Sequence, residues 1–145
     1  MRSHHTIRSS TVLAIAACGL FAMAGCGGSD AMQPMSASAA NTSGQGTVEA
    51  KVGDNGNTEV EVRVKHLSVP SKVAADASVY VVWIQPRNAA IQNVGALELD
   101  EDLVGMLITT TPHRAFTLTV TPEPSARMEQ PSHGAVFTSE VAVAP

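Results

Sequence analysis

TVEAKVGDNGNTEVEVRVK, residues Thr47 to Lys65, is the stretch whose pattern decides the fold. Val48, Ala50 and Val52 alternate with Glu49 and Lys51; after a break, Val60, Val62 and Val64 alternate with Glu59, Glu61, Arg63 and Lys65. A period of two places the valines on one face and the charges on the other, as in a strand with one dry side and one wet side. Asp54-Asn55-Gly56-Asn57 separates the runs. Asn-Gly favours the centre of a tight hairpin turn because both residues tolerate positive φ. The pattern predicts an antiparallel hairpin.

Downstream, Leu67 to Ala77 contains Pro70 and has no period, so it reads as a connection. Ser78 to Gln85 (SVYVVWIQ) is apolar on both faces, with Val79, Val81 and Trp83 on one and Tyr80, Val82 and Ile84 on the other. Its length and β-branching predict a central strand. Ile91 to Leu99 and Leu103 to Thr110 flank the acidic turn Asp100-Glu101-Asp102. Phe116, Leu118 and Val120 alternate with Thr117, Thr119 and Thr121, and Ala135 to Val143 supplies a last strand after the proline-bearing loop Pro122 to Gly134. Seven short strands with regular turn signals and no helix predict an all-β fold, an immunoglobulin-like antiparallel β-sandwich over residues 47–145. Tyr80, Trp83 and Phe116 are the expected core residues, with Trp83 at the centre.

Upstream the composition changes twice. Gly27 to Gly46 is small, polar and aperiodic, which predicts a flexible linker over 26–46 with an r.m.s. span of roughly 25 Å. Before it, Arg2 and Arg8 precede the uncharged run Thr11 to Cys26, which has the basic, apolar and small-residue parts of an export signal over 1–25. Such a run is shorter than the roughly 20 apolar residues that span a bilayer. Met23-Ala24-Gly25-Cys26 resembles the lipobox of bacterial lipoproteins, which implies that Cys26 is lipidated and becomes the mature N-terminus. That makes the membrane the first partner, through Cys26. The resemblance also implies a place in the cell envelope, on the outer face of a bacterial membrane. Gly27 stands where inner-membrane lipoproteins of Gram-negative cells carry aspartate, which points to the outer membrane, facing the periplasm.

The first 25 residues hold two of the nine Lys and Arg and none of the thirteen Asp and Glu, leaving seven cations against thirteen anions and a net charge of −6. With no Lys/Arg cluster, that balance argues against nucleic acid as a partner. Cys18 lies in the leader and Cys26 at the anchor, so the exported domain has no disulfide to rest on.

From Tyr80 onward the chain resembles the extracytoplasmic C-terminal domain of anti-sigma-K factors. The residues that carry this are Tyr80-Val81-Val82-Trp83, Gly95-Ala96-Leu97, and Phe116 to Thr121 running into Pro122-Glu123-Pro124, with Gln130-Pro131 beyond. The resemblance implies a β-sandwich on the outer face of a membrane. It does not carry sigma binding over, because the cytoplasmic sigma-binding domain and transmembrane helix of that family have no counterpart here. The glycine pair usual after Glu-Pro is Ser125-Ala126 in this chain.

The pattern supplies no catalytic set: there is no G-x-S-x-G elbow, the domain lacks a thiol, and Ser132-His133 are loop neighbours not expected to aim at each other. The expectation is a non-catalytic, membrane-anchored interaction or structural module, not an enzyme, with no cofactor and with an envelope protein as partner. The Leu67 to Ala77 connection and the Pro122 to Gly134 loop are its candidate binding elements. The alternative is a metal-handling lipoprotein. Glu98, Asp100, Glu101 and Asp102 would serve calcium; Met106, Met128, His113 and His133 would serve copper. His66 lacks any zinc-ligand spacing, Met106 suits a core position on its apolar strand, and Met32 and Met35 are weak candidates for a soft metal.

Overall fold

A computed structural model describes residues 32–38 and 44–144. The leader 1–25, with Met23, Ala24 and Gly25 of the lipobox, and Cys26 itself lie outside the described residues. In chain order the elements are β1 (Gln33–Pro34), β2 (Ser36–Ala37), β3 (Gln45–Val52), β4 (Thr58–Lys65), α1 (Pro70–Val73), β5 (Val79–Pro86), β6 (Gln92–Leu97), β7 (Gly105–Thr111), β8 (Ala115–Glu123) and β9 (Phe137–Ala142). The seven long strands fall on the seven strands read from the sequence. Proline at its first turn starts α1, a single four-residue turn inside the expected connection; it buries no residue.

Among the described residues the strands form two antiparallel sheets, ordered β1-β3-β4-β7 and β2-β9-β8-β5-β6. Leaving out the two short strands, β3, β4 and β7 face β6, β5, β8 and β9. This is an immunoglobulin-like sandwich, the chain changing sheets at β4–β5, β6–β7 and β7–β8. Val48, Val60, Val62 and Val64 from one sheet pack with Tyr80, Val82, Ile84, Phe116, Leu118 and Val120 from the other. Each such buried side chain contributes about 1.5–3 kcal/mol of transfer free energy.

The predicted hairpin is present, with Val48 opposite Val62 and Val52 opposite Thr58. Its turn is longer than an Asn-Gly pair. Gly53 and Asn57 exchange a backbone bond, Gly56 N–H donates to Gly53, and Asn55 Oδ1 accepts from Asn57 N–H. Only Gly56 takes positive φ (79°) in this turn; the Asn55 side chain closes a wider loop and removes the need for a second left-handed residue.

Two expectations are corrected. The linker read as flexible over 26–46 is structured in part: β1 pairs with β3 and β2 pairs with β9. Met35 between them is buried, and its N–H donates to Gly46. This strap crosses from one sheet to the other and closes one side of the sandwich, so the domain begins by Met32. Secondly, Trp83 is fully buried but lies outside the inter-sheet cluster that contains Tyr80 and Phe116. It shares the opposite face of β5 with Val81, and a loop covers that face.

Candidate functional site

Two elements singled out in the sequence, the connection before β5 and the loop after β8, meet at one end of the sandwich. Ser78 Oγ donates to the Pro124 carbonyl (2.7 Å), Ser78 N–H donates to Glu123 (2.9 Å), and Tyr80 Oη donates to Ser68 (2.8 Å). Burial pushes the Tyr80 hydroxyl up to about 12, so it stays a donor. The loop then folds back over the outer face of the five-stranded sheet. Asn93, opposite Trp83 in the β5–β6 register, holds it by donating Nδ2 to the carbonyls of Ala126 (2.9 Å) and Met128 (2.8 Å).

Beneath the loop is Glu123, with none of its surface exposed. A chain of donors converges on it. Trp83 Nε1 donates to Thr121 Oγ1 (2.8 Å), and Thr121 Oγ1 donates to Glu123 Oε1 (2.6 Å). Ser132 N–H spans both carboxylate oxygens (3.0 and 3.1 Å), and Ser132 Oγ donates to Oε2. The register explains this gathering: Thr121 and Glu123 alternate on the face of β8 that Val81 and Trp83 share on β5. Burial alone would push the Glu123 carboxyl up. The hydroxyls of Ser132 and Thr121, with the backbone N–H groups of Ser132 and His133, more than offset it and hold the group below its ordinary 4.5.

His133 completes the cluster. Its Nδ1 lies 3.0 Å from Ser132 Oγ and 3.8 Å from Glu123 Oε2, and its Nε2 lies 3.0 Å from Asp76 Oδ1 in the connection. Ser132 and His133 therefore do aim at each other, against the expectation for loop neighbours, because Glu123 pulls Ser132 down onto the sheet and turns the chain. The order serine, imidazole, carboxylate invites comparison with a nucleophilic triad. An ionised carboxylate only accepts, so the single Ser132 hydroxyl proton is committed to Glu123. A carboxyl held below its usual range is a weak base for removing that proton. The geometry is that of a clamp: Glu123 fastens the loop to the sheet, and His133 fastens the loop to the connection.

The remaining candidates are dispersed. His66 is exposed at the end of β4 with φ 56°, and His113 N–H donates to Thr111 Oγ1. Met106 does not fill the core; it is half exposed on the outer face of β7, because its side chain alternates outward from Gly105 and Leu107. Asp100 Oδ1 accepts from the N–H groups of Asp102 and Val104, which makes it the organiser of its own turn. Among the described residues no group of three or more His, Cys, Asp or Glu could hold a metal ion, and no helix is long and apolar enough to cross a membrane. An open groove lined by Val69, Pro70, Val79, Leu99 and Leu103 lies beside the connection, with Glu98 and Asp100 among its walls.

No family model matches the chain, and no curated protein matches it.

Proposed function

We propose that this chain is a membrane-anchored envelope lipoprotein whose β-sandwich serves as a non-catalytic module that binds another envelope protein. Cys26 behind Met23-Ala24-Gly25 supports the anchor, and the resemblance to extracytoplasmic anti-sigma-K domains supports a sandwich on the outer face of a membrane. The observation that carries the binding role is the clamp. His133–Asp76, Ser78–Pro124 and Ser132–Glu123 join two loops into one preorganised surface, and a preorganised loop loses less entropy on binding. Ser125, Ala126, Arg127, Glu129 and Gln130 are exposed at its crest. The commitment of the Ser132 proton to Glu123 supports the non-catalytic reading.

Two measurements test this. Palmitate labelling in cells should mark the full-length chain and fail on Cys26→Ser; equal labelling of both would overturn the anchor. In-cell crosslinking should trap a recurrent envelope protein on the wild type and lose it on an Arg127→Glu, Glu129→Lys variant. Retention of that protein by the variant, or no recurrent protein at all, would overturn the binding surface. Substitution is the right perturbation because deleting the whole loop would strip the cover from Trp83 and Glu123.

A further inference from the structure

One side chain of the clamp has its hydrogen bonds complete in a single charge state only. Glu123 is an ionised acceptor, so Ser132 Oγ gives its one proton to Oε2. Toward the neighbouring ring that oxygen only accepts, and His133 Nδ1, 3.0 Å away, must carry a hydrogen. The other ring nitrogen, Nε2, lies 3.0 Å from Asp76 Oδ1. A carboxylate also only accepts, so Nε2 must carry a hydrogen as well. Neutral imidazole has one N–H and imidazolium has two. The network closes on the charged ring.

Among the described residues, the charged groups facing His133 are Asp76 from the connection and Glu123 from β8, the latter 3.8 Å from Nδ1. Removing one proton leaves a lone pair pointing at an oxygen on one side of the ring. The two sides are unequal. Ser132 stays bonded to a fully buried Glu123, whereas the Asp76 side chain is 65% exposed, and water takes over the bonds it loses. The neutral ring therefore keeps its hydrogen on Nδ1 and lets Asp76 go.

We infer that protonation of His133 is a switch on the clamped surface: the imidazolium ties the loop after β8 to the connection before β5, and the neutral ring unties them. This rests on the binding role proposed for that surface and adds its regulation. The bonds from Ser78 to Glu123 and Pro124 hold in both states, so the fold persists while Ala74 to Ala77 loosens. Histidine ordinarily changes charge between about pH 5 and 8. Glu123, held below 4.5, keeps its charge throughout that range. The surface is preorganised in acid and looser in alkali.

The test follows the His133 ring by nitrogen NMR on the full chain in mild detergent, its signals assigned by their loss in His133→Gln. At pH 5 both ring nitrogens should carry hydrogens; at pH 8 Nδ1 should keep its hydrogen and Nε2 lose it. Asp76→Asn, a change at an exposed position, should move the ring's titration down by about 0.2–0.7 of a pH unit, the strength of an exposed charge pair. Ala77 N–H donates to Ala74, and its protection against hydrogen exchange should fall about 2–5-fold from pH 5 to pH 8. That protection should stay level in Asp76→Asn and in His133→Gln. A titration unmoved by Asp76→Asn, a hydrogen on Nε2 at pH 8, or wild-type protection equal at the two pH values would overturn the switch. These readouts need no partner, so they decide the switch even where crosslinking captures nothing and the binding role falls. Where a protein is captured, its yield on the wild type should be higher at pH 5 than at pH 8, and equal yields would overturn the regulation.

Discussion

Glu123 is buried and ionised, and among the described residues no lysine or arginine pairs with it, an arrangement that survives because hydroxyl and backbone donors surround it. Glu123→Gln keeps the shape but sets an amide against the Ser132 or Thr121 hydroxyl. Each charge-assisted bond lost is worth about 1.5–3 kcal/mol, so urea unfolding at pH 7 should show a loss of about 2–3 kcal/mol. The pH dependence has a definite sign. The folded-state value lies below the unfolded one, so this stabilisation is complete above the unfolded value near 4.5 and is lost as pH falls through the folded value. The gap in stability between wild type and Glu123→Gln should therefore shrink on acidification from about pH 5, and a gap at pH 3 as wide as that at pH 7 would refute the assignment. Little of this was legible beforehand. Glu123 reads as one more acid in a proline-bearing segment; its partner Ser132 lies nine residues ahead, and His133 beyond it reaches on to Asp76 in a separate loop. The one available signal was its place, two residues beyond Thr121, on the face that Trp83 shares.

At the scale of the element, strands with a sustained period could be read and the strap could not. β4 alternates three valines with charged residues, whereas β1 and β2 are two residues each, too short for any period to register. What fixes the strap is packing. A Cβ on Gly46 would run into Met35 Cε and lie 3.2 Å from two ring carbons of Phe137. Gly46→Ala should thus cost about 1–3 kcal/mol as an overpacking change. Met35→Ala should cost about 2 kcal/mol, near the lower end for a buried methionine, since a little of its surface remains open. The two sites share one contact, so they will not add. In a Met35→Ala background the Gly46→Ala penalty should shrink by more than half, and a double-mutant cycle by urea denaturation measures this directly. Strict additivity would mean that the strap does not dock on β3.

For the whole molecule, the docked strap changes the distance between domain and membrane under the proposed lipid anchor. With residues 26–46 as a free linker, the sandwich could wander over the full contour of twenty-odd residues. With Met32–Ser38 held against both sheets, only the six steps from Cys26 to Met32 remain, a reach of about 20 Å at most. Trp83 is the single tryptophan, buried at a fixed place in the sandwich, and so reports the position of the whole domain. Energy transfer from Trp83 to a headgroup-labelled lipid, measured on the lipidated chain in vesicles, should be readily detected. A flexible Gly/Ser insert of about ten residues between Cys26 and Met32 should weaken it, because the added chain lies between anchor and domain. The same insert between Ser38 and Gly44 should leave it unchanged, because a docked strap keeps the new residues in a side loop. Equal loss of transfer from both insertions would mean that the strap leaves the sheets at the membrane, and that the domain hangs from a linker as long as the sequence alone suggests.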